Sequence, residues 1–166
     1  MYKKQLRDDD EGDSGSTRRL DFVATSAPRK SDTTAPFLLI VDDEARSARM
    51  LGRMLREDGY DVEVLVDGAD AVARLSVDPL PDVLLTDISM PHVDGNAVAQ
   101  YARSRNGSIP VVFVTSHPNL LHGDGLSSPS TVHVKPIDYG RLRRQIESLW
   151  RDALLLLRPA PAALLG

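Results

Sequence analysis

Four short polar groups follow apolar runs along this chain: Asp42-Asp43 after Phe37–Val41, Asp87 after Val83–Thr86, Thr115-Ser116 after Val111–Val114, and Lys135-Pro136 after Val132–Val134. A continuous apolar run reads as an inner strand of a parallel sheet, covered on both faces. If the four runs are neighbours in one sheet, their carboxyl ends share an edge, and three carboxylates, a hydroxyl and an ammonium meet there. Carboxylates so close repel by about 4 kcal/mol per pair at roughly 4 Å and an effective dielectric near 20. Three carboxylates at −3 and the Lys135 ammonium at +1 leave −2, which one Mg²⁺ neutralises. Mg²⁺ suits the open all-oxygen set, since it takes octahedral oxygen ligands and keeps several waters. A carboxylate beside such a cation can attack phosphorus, and Asp87 is the candidate nucleophile. The remaining work is to hold the groups in line and offset charge on the phosphoryl oxygens, which suits Lys135 and the Thr115 hydroxyl.

Strands alternating with helices must position these residues. The apolar stripe Leu51, Met54, Leu55 predicts a helix over 44–58 that stops at Gly59. Asp61–Val66 reads as a strand and Ala69–Ser76 as a short Ala-rich helix; Asp78-Pro79 and Pro81 then punctuate the return to Val83–Thr86. After the turn-forming 90–95, Asn96 is expected to cap a helix carrying Ala97, Val98, Tyr101 and Ala102. Tyr139 to about Leu157 carries Leu142, Ile146, Leu149, Trp150 and Ala153 at helical spacing. Between these, 116–130 is interrupted by Pro118, Gly123, Gly125 and Pro129, leaving room for a turn or two of helix around Asn119–His122. Five strands with helical crossovers make an α/β fold with a mostly parallel, doubly wound sheet between two helical layers.

Composition sets the outer limits. The chain has 166 residues, enough for one well-buried domain with tails. Residues 1–35 hold seven basic and seven acidic side chains with little apolar periodicity and are expected to be a flexible leader. The domain is expected over 36–152, with an apolar tail over 153–166. A formal net charge of −4 argues against a nucleic-acid surface. No cysteine is present, which excludes disulfides and thiolate metal sites. No run is long enough to span a bilayer, and the charged start lacks a signal-peptide core, so a cytoplasmic protein is expected. His92, His117, His122 and His133 lack the spacing of a zinc site. The tail's Leu154–Leu157 is more apolar than one helix face needs; it reads as extra packing on the domain itself, with a homodimer or partner contact as the alternative.

Taken together in this order, Asp42-Asp43, Asp87-Ile88-Ser89-Met90-Pro91 with Asp94-Gly95, Thr115-Ser116 and Lys135-Pro136 resemble the signature of receiver domains of two-component response regulators. The resemblance covers about residues 36–152. It implies a flavodoxin-like fold with strand order 2-1-3-4-5. It implies that Asp87 accepts a phosphoryl group from a phosphohistidine on a sensor histidine kinase or a histidine phosphotransfer protein. Asp43 would bind Mg²⁺ directly, Asp42 partly through water, and the Ser89 carbonyl would be a further ligand. Thr115 and Lys135 would contact the phosphoryl oxygens, and Lys135-Pro136 would be a cis bond. Ser89 and His117 occupy positions that tune dephosphorylation in the family.

The chain departs from the pattern at Val132, where family members place the aromatic ring of their switch, and in the broken helix after Thr115. The expected function is a stand-alone receiver, since 14 residues after Asp152 leave no room for a DNA-binding domain. It would signal through a downstream protein, transferring and losing its phosphoryl group by its own chemistry without being an enzyme in the usual sense. The rival is a phosphorylation-independent interaction module. A phosphatase is disfavoured, because no second general acid is recognisable beside Asp87.

Overall fold

The structure, a computed structural model, describes residues 35–121 and 129–157. Its elements run β1 (Phe37–Val41), α1 (Ala45–Glu57), β2 (Asp61–Leu65), α2 (Gly68–Leu75), β3 (Val83–Thr86), α3 (Gly95–Arg105), β4 (Val111–Thr115), β5 (Ser130–Val134) and α4 (Tyr139–Leu157). The five strands form one parallel sheet in the order β2-β1-β3-β4-β5. The leader (up to residue 34), His122 and the tail beyond 157 lie outside the described residues.

Burial explains the order. Every residue of β1, β3 and β4 is buried, and these are the three inner strands; β2 and β5, each carrying polar residues, take the edges. Two apolar layers follow. Leu38, Ile40, Leu51, Leu55, Leu142 and Ile146 join α1 and α4 to one face. Leu39, Leu84, Phe113, Leu75, Val98 and Ala102 join α2 and α3 to the other. Alternate residues of each strand thus serve opposite layers, so a one-residue slip would exchange the two cores.

Several boundaries differ from the sequence reading. Asp94, not Asn96, caps α3: its carboxylate accepts from the Ala97 amide at 2.8 Å, and the helix starts at Gly95. A carboxylate one turn ahead of the orphan amides is a better acceptor than Asn96, whose side-chain amide is drawn to the Leu120 carbonyl at 3.3 Å. Asp94→Ala should cost about 1 kcal/mol, read as a lower urea midpoint at unchanged m-value. After Thr115 the described chain forms only a 3₁₀ turn over Pro118–Leu120, one residue ahead of the expected position, since Pro118 supplies the fixed φ of a first helical position. β5 starts at Ser130, two residues before its apolar core, because its backbone pairs along β4 whatever its side chains. β2 ends at Leu65 rather than Val66, and Ser76 is the α2 C-cap. Leu154, Leu155 and Leu156 do not pack on the domain as expected; they are exposed, since α4 continues past Leu149, the last of its buried residues.

Candidate functional site

The register brings the polar strand exits to one edge. Val41 pairs with Leu65 and with Thr86, and Thr115 pairs with Val134. The ladder then extends one residue beyond the strands: the Asp42 amide donates to Leu65 O at 3.2 Å, Asp87 to Val41 O at 2.8 Å, and Lys135 to Thr115 O at 2.9 Å. Each of these three residues is therefore pinned by its own backbone before any side-chain contact forms. The crevice lies between β1 and β3, where the strand order reverses.

There Asp42, Asp43 and Asp87 offer carboxylate oxygens that all lie within 4.8 Å of one another, the only such metal-competent group among the described residues. Asp42 and Asp87 are 6% and 8% exposed, whereas Asp43 faces solvent. The Lys135 ammonium bridges the two buried acids, 2.7 Å from Asp42 Oδ2 and 2.8 Å from Asp87 Oδ2. Their other oxygens accept backbone amides, Asp42 Oδ1 from Glu44 at 2.9 Å and Asp87 Oδ1 from Ser89 at 3.1 Å. Burial pushes the Asp42 carboxyl above the usual carboxylate range, against the opposing pull of Lys135 and the Glu44 amide. Burial also opposes the Lys135 charge, but its hydrogen bonds to Asp42 and Asp87 outweigh that and hold its pKa above an ordinary lysine.

Thr115 is fully buried, and its hydroxyl accepts from the His117 amide at 3.0 Å. Lys135-Pro136 is cis, as the motif implied; Asp78-Pro79 is cis as well. Val132 lies opposite Phe113 in the register and packs with it into the α2/α3 layer, so no ring occupies the switch position. His133 is buried on the edge strand and His117 is exposed at the site edge, apart from any metal-competent group.

The oxygens are a hard, all-carboxylate set with one member open to solvent, and they fit Mg²⁺ better than Zn²⁺. Asp42, Asp43 and Asp87 would hold it, and it would offset the mutual repulsion of their carboxylates.

Two features were missed in the sequence. Gly95 packs so closely beneath Asp87 that a Cβ there would overlap the Asp87 carbonyl oxygen, lying 2.8 Å from its carbon and 3.0 Å from Ile88 Cα. The adjacency Asp94-Gly95 was its only signal. His92 sits at φ 65, a left-handed conformation that a non-glycine residue rarely takes.

Four similarities accord with this geometry. Residues 38–147 match the model of the response regulator receiver domain. The chain is 32% identical over 137 residues to the transcriptional regulatory protein TrcR of Mycobacterium tuberculosis, covering 81% of this chain and 53% of that protein. It is 34% identical over 125 residues to the response regulator PleD of Caulobacter vibrioides, covering 72% and 27%. The chain thus spans about half, or less, of the curated relatives it matches. Among solved structures, a response regulator receiver protein from Sinorhizobium medicae WSM419 superposes with a TM-score of 0.67 at 26% identity, covering 72% of this chain and 98% of that one.

Proposed function

The chain belongs to the receiver domains of response regulators, and from that premise we propose that it is a Mg²⁺-dependent phosphoacceptor that takes a phosphoryl group from a phosphohistidine onto Asp87. A Lys135 ammonium held between two buried carboxylates is the observation that carries the reading, because it supplies one positive charge where a phosphoryl group would bring more negative charge.

In the proposed step an Asp87 oxygen attacks phosphorus in line. The P–O bond forms as the P–N bond breaks, and the imidazole nitrogen leaves with the electron pair. The chain's part is positional: the Val41 carbonyl and the Ser89 amide hold Asp87, and Lys135 stands ready to bind a phosphoryl oxygen. Thr115 would give up its contact with the His117 amide to meet a second oxygen. Mg²⁺ bound by Asp42, Asp43, Asp87 and the Ser89 carbonyl would offset the negative charge that accumulates there. Water hydrolyses the acyl phosphate later, so the domain is a signalling switch rather than an enzyme acting on a substrate. The donor is a histidine kinase or histidine phosphotransfer protein, the output is binding to another protein, and a cytoplasmic location belongs to the same proposal.

Intact mass after incubation with Mg²⁺ and acetyl phosphate tests it. The wild type should gain about 80 Da, one phosphoryl group, and Asp87→Asn or a chelator should abolish the gain. No adduct on the wild type, where a control receiver is labelled, would leave the phosphorylation-independent module that Val132 favours.

A further inference from the structure

A cleft of about 400 Å³ opens at the edge where β1 and β2 begin, across the sheet from Asp87. Its walls are Asp58 and Tyr60, between α1 and β2, and Arg143, Glu147 and Trp150, which share one face of α4 at i, i+4, i+7. Backbone bonds fix it in the fold: the Tyr60 amide donates to Leu55 O at 3.1 Å, and the Asp61 amide to Pro36 O at 3.1 Å.

The walls ask for a cation. Tyr60 and Trp150 pack partly against the α1/α4 core and also line the cleft. Asp58 uses one oxygen, Oδ2, for the Tyr139 hydroxyl at 2.7 Å and a loose Arg143 contact at 3.8 Å. Glu147 uses Oε1 for Arg151 at 2.7 Å. Asp58 Oδ1 and Glu147 Oε2 accept no hydrogen bond among the described residues. Two carboxylates at −2 and the Arg143 guanidinium at +1 leave the walls at −1, beside two aromatic rings that attract a cation. The same walls repel a polyanion.

The entry of the chain selects the occupant. Ala35 and Pro36 line the cleft, so the leader joins the domain at its mouth. Arg29 and Lys30 lie six and five positions ahead of Ala35. Six residues of extended chain reach about 20 Å, whereas Arg143 to Trp150 spans about 10 Å of helix, so either cation reaches Glu147 and the rings. Arg18-Arg19, the preceding basic pair, would close a loop roughly three times as long at a higher entropic cost. Asp32, between Lys30 and the domain, is opposite in sign to Arg143. So short a tether gives an effective concentration on the order of millimolar, which favours the leader over a separate partner.

We propose that the cleft between the end of α1 and α4 holds the Arg29-Lys30 pair of this chain's own leader. Arg29 is the better fit, since a planar guanidinium stacks on Trp150 and pairs with Glu147 at once. The leader is then strapped to the base of α1 and α4, although its composition alone reads as a free tail. The strap stands apart from phosphorylation, because Asp87 lies at the opposite edge of the sheet.

Trp150 is the single tryptophan of the chain, so its fluorescence reads the cleft directly. In the full chain a docked leader shields the indole from acrylamide. Arg29→Glu/Lys30→Glu should raise the quenching constant roughly twofold, and raising salt from about 0.05 to 0.5 M should move wild type part of the way there. Glu147→Arg should raise it alike, and combining Glu147→Arg with both leader reversals should bring it back to the wild-type value. Thermal melting should be unchanged in Arg29→Glu/Lys30→Glu, which alters no residue of the domain. Equal quenching of wild type and Arg29→Glu/Lys30→Glu, or no recovery in the combined variant, overturns the strap. Quenching that changes with protein concentration between about 1 and 100 µM overturns it too, by assigning the cleft to the leader of a second copy.

Discussion

Gly95→Ala should lower stability by about 3 kcal/mol and sharply reduce adduct formation at Asp87, although Gly95 touches no phosphoryl group. The added methyl would overlap the Asp87 carbonyl oxygen and crowd the backbone of Asp87 and Ile88. Backbone cannot swing aside as a flexible side-chain end can, so the strain falls on the segment that aims the Asp87 carboxylate. That segment is also held by the Asp87 amide on Val41 O and the Gly95 amide on Ile88 O at 3.0 Å, so relief costs at least one of these bonds. Gly107→Ala is the control, since a Cβ there meets only the Arg103 carbonyl at 3.9 Å. Urea unfolding and intact mass on both variants decide the matter. A Gly95→Ala protein as stable and as readily labelled as Gly107→Ala would show that the contact yields freely.

Lys135→Met should have the second large effect. It leaves Asp42 and Asp87 without their shared cation, and losing one partner of a buried ion pair costs about 3 kcal/mol. The loss should depend on pH in a definite direction. Burial holds the folded pKa of Asp42 above its ordinary value of 3.8, so this group favours folding fully below that value and loses the contribution as pH rises through the folded pKa. Lys135 restrains that upward shift, and removing it widens the window towards neutral pH. The variant should therefore lag the wild type most near pH 7.5 and regain part of the difference by about pH 5. Mg²⁺ should restore part of it at neutral pH, by binding only the folded state. Phosphorylation by acetyl phosphate should slow roughly a hundredfold, since a charge aimed at the phosphoryl oxygens is gone. Denaturant midpoints across pH, with and without Mg²⁺, give the first readout; a deficit that stays constant with pH would mean that Lys135 acts through packing alone.

The two variants separate the parts of the site that sequence can and cannot reveal. Lys135 could be picked out beforehand because an apolar run precedes it and the other three polar groups follow runs of the same kind. Its partners could not be measured, since it lies 93 positions from Asp42 and 48 from Asp87. Gly95 was visible only as half of an Asp-Gly turn, and the backbone it presses against is set by where α3 docks. The cap of α3 was misplaced by two residues because Asp94 and Asn96 are both good cap types, and the difference lay in the pull of Leu120 on Asn96. Leu154–Leu156 were expected to pack because they are apolar, yet helical spacing says nothing of where the sheet beneath a helix ends.

By itself the sequence determined the fold class, the strand exits and the residue types of the site, because inner parallel strands must be apolar throughout and a polar residue marks where each one leaves the core. Tertiary structure alone decided that Lys135 spans Asp42 and Asp87 and that Gly95 wedges beneath the Asp87 backbone. Those are distances between segments far apart in the chain, fixed by sheet register and helix docking, and no local pattern encodes them.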